Sequence, residues 1–215
     1  MARILLLAPI STPLNKILRE AGHDVLCTES ESAKTLIKTG DYDFLISYGY
    51  RYILTKEELS FFDKKKAINL HISYLPLNRG ADPNFWSLFE GTQSGVTIHY
   101  LDEGIDTGDI IVQKKVEFDV ENDTLATSYN KLHDEMVKVF EENMEDIISG
   151  KCSATKQSSK GTYHNAKDKN KIFETLSSKR DNVWDTPIKE VIEMGEALNE
   201  NDSGQFEHVF GFNDV

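Results

Sequence analysis

Cysteine is nearly absent. The 215 residues hold two, Cys27 and Cys152, at no metal or redox spacing. That excludes a disulfide framework and fits a reducing compartment. Long apolar runs are missing too: mean hydropathy is −0.43, and no stretch approaches the roughly 20 apolar residues of a membrane helix. The opening Ile4-Leu5-Leu6-Leu7-Ala8 run is too short for a signal peptide, has only Arg3 ahead of it and is followed by Pro9, so it reads as a buried first strand. A cytoplasmic protein is expected, with no membrane partner. Positive charge is in deficit, 24 Lys and Arg against 36 Asp and Glu for a net charge of −12. This argues against a large nucleic-acid surface, which needs clustered cations. No phosphate-binding glycine motif follows the first strand: Ala8-Pro9-Ile10-Ser11-Thr12-Pro13 is neither G-x-G-x-x-G nor a P-loop. No internal repeat is found.

The length suits one full-sized domain with a small appendage. Apolar and aromatic residues, 39% of the chain, supply an ordinary core. The charge is uneven. Residues 151–180 carry eight Lys/Arg against two Asp/Glu, whereas 181–215 carry one Lys against nine acidic residues. The basic stretch is either a contact for a small phosphorylated ligand or a solvated loop.

Strands are expected over Arg3–Ala8, Val25–Cys27, Phe44–Ser47 and Ala67–Asn69. They alternate with helices over 14–21, Ser32–Lys38 and Glu57–Phe61, the last capped by Thr55. Such alternation predicts an α/β fold, a mostly parallel, doubly wound sheet with helices on both faces. The aromatic loop Tyr48-Gly49-Tyr50-Arg51-Tyr52 follows the third strand. Residues 70–83 read as a long ordered loop, Asn84–Glu90 as a helix, and Val96–Leu101 and Ile110–Val116 as two more strands. Asp123 is placed as the cap of a long helix carrying Leu125, Tyr129, Leu132, Met136, Val139, Phe140 and Ile147 on a core stripe, ended by Gly150. Lys151–Lys160 reads as a polar surface crossing. A last helix is expected over Ile188–Leu198, and an acidic tail that docks or frays. Residues 1–150 are taken as a catalytic domain, and 151–215 as a C-terminal extension completing the substrate site or docking on the core.

The chemistry concentrates in two segments. Asn69-Leu70-His71-Ile72-Ser73 alternates polar and apolar, so Asn69, His71 and Ser73 point one way if extended. In open parallel sheets, ligands sit beyond the carboxyl ends of strands. The second segment is the polar loop Asp102–Asp109, where Asp106 is placed to meet the same cleft. Asn69 offers an N–H to a developing oxyanion, a protonated His71 offers a charged donor, and Asp106 holds that imidazolium. No activated Ser or Cys nucleophile accompanies them, so the nucleophile arrives with the substrate. Two other readings stay open. Asp106 caps a turn before Gly108, or His71, His99, Asp102 and Asp106 ligate a metal, although no two fall at a familiar ligand spacing.

Asn69-Leu70-His71-Ile72-Ser73-Tyr74-Leu75-Pro76 resembles the N-x-H-x-S-x-L-P segment of folate-dependent formyltransferases. Gly95-Val96-Thr97-Ile98-His99 and Gly104-Ile105-Asp106-Thr107-Gly108-Asp109-Ile110 are similar to that family's G-V-T-x-H and L-D-T-G-D-I blocks. The match is dense over 66–116 and thin before it. The resemblance implies a Rossmann-like formyltransferase fold and 10-formyltetrahydrofolate as formyl-donor co-substrate, with no metal. It implies Asn69, His71 and Asp106 as catalytic residues and a folate site near Tyr48, Tyr50, Asp102, Gly104 and Ile105. It is also compatible with a homodimer.

For the acceptor amine, Arg79-Gly80-Ala81-Asp82-Pro83-Asn84-Phe85-Trp86 and Gly161-Thr162-Tyr163-His164 look most like enzymes that formylate amino sugars on nucleotide carriers. The implied acceptor is a dTDP- or GDP-linked 4-amino-4,6-dideoxyhexose, as in O-antigen or polysaccharide biosynthesis. Tyr74, Arg79, Gly80, Asp82, Tyr163 and His164 would contact it. Tyr163 either stacks on a base or sugar or anchors the tail in the core. Glycinamide ribonucleotide and methionyl-tRNA are alternative acceptors. The tRNA enzymes carry a further C-terminal barrel, for which residues 151–215 are too few and too acidic. Formyltetrahydrofolate hydrolysis would call for a regulatory domain ahead of the first strand. A non-catalytic folate- or nucleotide-binding module has no need of all three of Asn69, His71 and Asp106.

Overall fold

The computed structural model describes residues 1–157 and 160–201, with side chains as far as Leu198 in the last helix. The acidic tail expected to dock or fray lies outside the described residues. The chain divides into two compact units. The first holds residues 1–71, 97–113 and 136–157; the second holds 72–96, 114–135 and the described residues from 160 onward. These units are drawn differently from a division at residue 150: residues 151–157 fall in the first, and the described residues from 160 onward share the second with segments from the middle of the sequence.

One six-stranded sheet runs in the order β2-β1-β3-β4-β6-β7. Its strands are β1 (Arg3–Leu7), β2 (Asp24–Thr28), β3 (Phe44–Tyr48), β4 (Ala67–His71), β6 (Gly95–Tyr100) and β7 (Ile110–Lys115). The first four pair in parallel. Ile4 to Leu7 are fully buried, as expected of a central strand covered on both faces. The helices between them are α1 (Pro13–Glu20), α2 (Ala33–Thr39) and α3 (Lys56–Leu59). Thr55 caps α3 in a reciprocal box, accepting from the Glu58 N–H at 3.3 Å while the Thr55 N–H donates to the Glu58 carboxylate at 2.7 Å.

The sheet is mostly parallel, as expected, and β6 runs antiparallel to β4. A parallel return needs a crossover helix packed back on the sheet. The helix in this connection, α4 (Pro83–Phe89), instead gives Phe85, Trp86, Leu88 and Phe89 to the core of the second unit.

That second core also takes Leu125, the first residue of α5 (Leu125–Ser149). It takes Ile172 and Leu176 from α6 (Asn170–Ser177), and Ile188 and Val191 from α7 (Ile188–Asn201). A two-stranded sheet joins β5 (Arg79–Gly80) to β8 (Tyr163–His164) in parallel. α6 and the short pair β5/β8 were not foreseen: two-residue strands have no periodicity, and α6 shows only one i,i+4 apolar pair among polar residues. On α5, Leu132, Met136, Val139, Phe140 and Ile147 are buried as expected, but Tyr129 is 37% exposed. Its ring lies on the surface against His133 and Trp184. The cap differs as well. Thr124 accepts the Thr127 N–H, while Asp123 binds the Asp119 N–H, the Thr127 hydroxyl and Lys131. Burial pushes the Asp123 carboxyl up, but these hydrogen bonds outweigh it and hold the group below its ordinary range.

Gly195 lies inside α7, where glycine is normally unfavourable by about 1 kcal/mol. A Cβ there would sit 1.8 Å from the Phe89 carbonyl oxygen of α4. Close helix approach is thus what glycine provides. Gly195→Ala is expected to destabilise the fold by about 1–3 kcal/mol by overpacking, read as a lower thermal midpoint; an unchanged or raised midpoint would refute the contact.

Candidate active site

β4 carries Asn69 and His71 two residues apart, hence on one side of the strand. The third group comes from the loop between β6 and β7. Asp106 there adopts a left-handed backbone, φ 54°, which costs a non-glycine residue of order 1–3 kcal/mol. Its neighbours in the loop favour that conformation. Asp102 Oδ1 accepts the Gly104 N–H at 3.1 Å and the Thr107 hydroxyl at 2.6 Å. A Cβ on Gly108 would stand 1.8 Å from the Tyr100 carbonyl oxygen.

The Asp106 carboxylate is the hub. Its Oδ1 accepts from Asn69 Nδ2 at 2.9 Å. Its Oδ2 lies 3.6 Å from His71 Nδ1, and Oδ1 lies 3.4 Å from His99 Nε2. The side chains of His71, His99 and Asp106 are 9%, 1% and 10% exposed, so charge interactions among them are weakly screened. Asn69, His71 and Asp106 are therefore brought together as expected. Ser73 is not. The strand ends at His71, and the Ser73 hydroxyl turns to the Leu77 carbonyl at 2.9 Å.

His99 is the member that sequence reasoning weighed only as a metal ligand. The antiparallel register sets it directly opposite Asn69. Its Nδ1 is 2.8 Å from the Tyr100 carbonyl oxygen, which only accepts, so Nδ1 carries the proton. In the neutral ring, Nε2 is then an acceptor, and Asn69 Nδ2 lies 3.3 Å away. Both hydrogens of the Asn69 amide are thereby engaged, one by Asp106 and one by His99. Among the described residues, no group of three His, Cys, Asp or Glu side chains is arranged to hold a metal, and no helix is long and apolar enough to cross a membrane.

Of the residues assigned to the folate, Tyr48 is the buried last residue of β3. Tyr50 packs edge-on to Tyr52 and donates its hydroxyl to the Ser30 carbonyl at 3.1 Å. Burial raises its pKa, with Tyr52, Glu58 and Glu31 adding. Asp102, Gly104 and Ile105 form the loop that presents Asp106.

The residues assigned to the acceptor all lie in the second unit. Gly80 takes φ 83°, and a Cβ there would meet the His164 carbonyl and the Tyr163 ring at 2.4 and 2.7 Å. Arg79 is buried, Asp82 pairs with Lys169, and Tyr74 lies beneath the Lys115 ammonium. Tyr163 is 36% exposed, and its hydroxyl donates to Asn165. His164 is buried instead. Its ring stacks on Trp86 at 3.9 Å, and Nε2 is 2.9 Å from Glu90. These contacts give His164 an anchoring place beside α4.

Residues 15–144 match the formyl transferase family. The chain belongs to that family. It is 43% identical to the formyltransferase PseJ from Anoxybacillus kamchatkensis, with 90% of this chain and 99% of that one aligned at a TM-score of 0.82. That structure holds UDP-4,6-dideoxy-4-formamido-L-AltNAc and tetrahydrofolate. A 4-N formyltransferase from Francisella tularensis, 24% identical over 80% of this chain and 79% of its own, shares the fold at a TM-score of 0.68. The methionyl-tRNA formyltransferase of Clostridioides difficile (strain 630) is 38% identical over 113 residues, 52% of this chain and 35% of that enzyme. The chain thus spans well under two thirds of the curated relatives it matches.

Proposed function

We propose that the chain transfers the formyl group of 10-formyltetrahydrofolate to the 4-amino group of a UDP-linked amino sugar. The observation that carries this reading is the 43% identity to a formyltransferase holding a UDP-linked 4-formamido sugar and tetrahydrofolate. It favours UDP over the dTDP or GDP carriers expected from sequence. The folate is a co-substrate, and the turn at exposed Gly104 and half-buried Ile105, next to the Asp106 hub, suits its approach.

The neutral amine nitrogen attacks the formyl carbon, and the C=O electrons move onto oxygen. A protonated His71 donates to that oxyanion. Asn69 joins it by releasing its 3.3 Å contact to His99, the longer of its two hydrogen bonds. Asp106 takes the proton from the amine nitrogen, directly or through water. Collapse re-forms the carbonyl and breaks the bond to the folate nitrogen, which leaves with a proton from His71.

Before Asn69 turns to the oxyanion, the Nε2 acceptor of His99 orients its amide, so a residue that keeps an acceptor there keeps Asn69 aimed into the site. His99→Gln puts an amide oxygen near the place of Nε2, whereas His99→Asn keeps only a donor toward Tyr100. The expected outcome is a kcat about fivefold to tenfold lower in the Asn variant than in the Gln variant; equal losses would argue for packing alone.

A second reading, methionyl-tRNA as acceptor, draws on the name of the curated relatives. The net charge of −12 speaks against it. The deciding assay follows free tetrahydrofolate with UDP-, dTDP- and GDP-linked 4-amino-4,6-dideoxy sugars, glycinamide ribonucleotide and methionyl-tRNA in parallel. Turnover confined to the ribonucleotide or the tRNA retires the sugar reading.

A further inference from the structure

Asp106 is held from behind by a residue outside the triad. The segment after α5 returns to the first unit's sheet, where Thr155 and Ile110 form a bridge with two backbone hydrogen bonds of 2.9 and 2.8 Å. Two residues later, Gln157 Nε2 donates to the Asp106 carbonyl at 2.8 Å and to the Gly108 carbonyl at 2.8 Å. A carboxamide nitrogen has two hydrogens, and both are placed on carbonyls that flank Thr107.

We propose that Gln157 is a positioning residue for Asp106: its amide pins the two carbonyls that bracket the left-handed turn and so aims the carboxylate at Asn69 and His71. The inference deepens the proposed reaction and rests on that reading for its kinetic part. The physical need is specific. A left-handed aspartate relaxes readily toward the right-handed or extended regions. Either relaxation rotates the peptide planes on both sides and swings the side chain away. Asp102, Gly104 and Thr107 tie the front of the loop to itself. Thr155 ties the start of β7. Gln157 reaches the two carbonyls between these anchors. An N–H pair at this place acts on geometry, since it touches neither the amine nor the formyl carbon, and a displacement near 1 Å at a reacting group costs about 10²-fold in rate.

Two variants separate positioning from bulk. Gln157→Leu keeps the volume and loses both donors. Gln157→Lys restores N–H donors on a flexible stem. With the sugar and folate substrates, Gln157→Leu is expected to lower kcat about 10–100-fold, leaving both KM values within threefold, and Gln157→Lys to recover a substantial part of kcat. Independently of turnover, hydrogen–deuterium exchange in a peptide covering 102–109 is expected to be at least about tenfold faster in Gln157→Leu than in the native chain. Unchanged exchange there overturns the clamp, whatever the acceptor. Faster exchange with native kcat overturns its role in catalysis. Equal kcat losses in both variants, accompanied by raised KM, overturn positioning in favour of a general structural role. If the native chain formylates no amine, the reaction assignment fails, and the exchange result alone decides whether Gln157 holds the loop.

Discussion

Asn69→Ala is expected to lower kcat by about 10²–10³-fold, the usual cost of removing one oxyanion donor. The structure gives the substitution a second consequence. Asn69 Nδ2 bridges Asp106 Oδ1 and His99 Nε2, so truncation takes a partner from each of two buried groups. An unsatisfied buried polar atom costs about 1–3 kcal/mol, and the carboxylate loses the hydrogen bond that aims its Oδ1. The loss should therefore fall on kcat and on kcat/KM alike, because in the proposed mechanism the missing interaction forms in the transition state. Steady-state rates of tetrahydrofolate release measure both quantities. A variant within threefold of native kcat would remove Asn69 from the mechanism.

Gly108→Ala is expected to be nearly as damaging, through a single methyl group. The new Cβ would stand 1.8 Å from the Tyr100 carbonyl oxygen and 3.5 Å from His99 Nδ1, beside the hydrogen bond that fixes the His99 tautomer. The strand end cannot yield without moving His99, and the loop cannot yield without moving Asp106. A loss of about 10²-fold in kcat follows from misplacement, with about 1–3 kcal/mol of stability, seen as a thermal midpoint lower by several degrees. Gly22→Ala is the control. Its φ is 86° and a Cβ there meets nothing within 4 Å, so it costs backbone strain and should leave kcat at the native value. Loss of activity in both variants to the same extent would mean that stability, not loop placement, is being read.

The parallel half of the sheet was legible because strands and helices differ in hydrophobic period, and because Leu5, Leu6 and Leu7 or Leu45 and Ile46 form runs too short for anything but buried strands. Asn69 and His71 were legible for the same reason: a period of two puts them on one side. Asp106 could be placed near them from the chemistry of its polar loop, but without periodicity to say where that loop folds, and the family resemblance is what singled it out. His99 depends on register, which is set by antiparallel pairing across a connection of more than twenty residues. Gln157 acts through an amide in a polar stretch that composition cannot distinguish from any solvated segment. Tyr129 fell on the apolar stripe of its helix yet faces outward, because aromatic neighbours at the surface substitute for the core. Likewise, His164 sits in a segment that looks like a sugar contact but packs on Trp86.

The cross-strand partnership of Asn69 with His99 ties assembly to chemistry. A molecule whose β6 slipped by one position would offer Asn69 an isoleucine or a tyrosine, Ile98 or Tyr100, while keeping much of its backbone ladder. Spectroscopic helix content would scarcely register the error, but on the proposed mechanism turnover would be lost. The active fraction of a refolded preparation therefore counts the molecules whose strands have threaded in the right alignment.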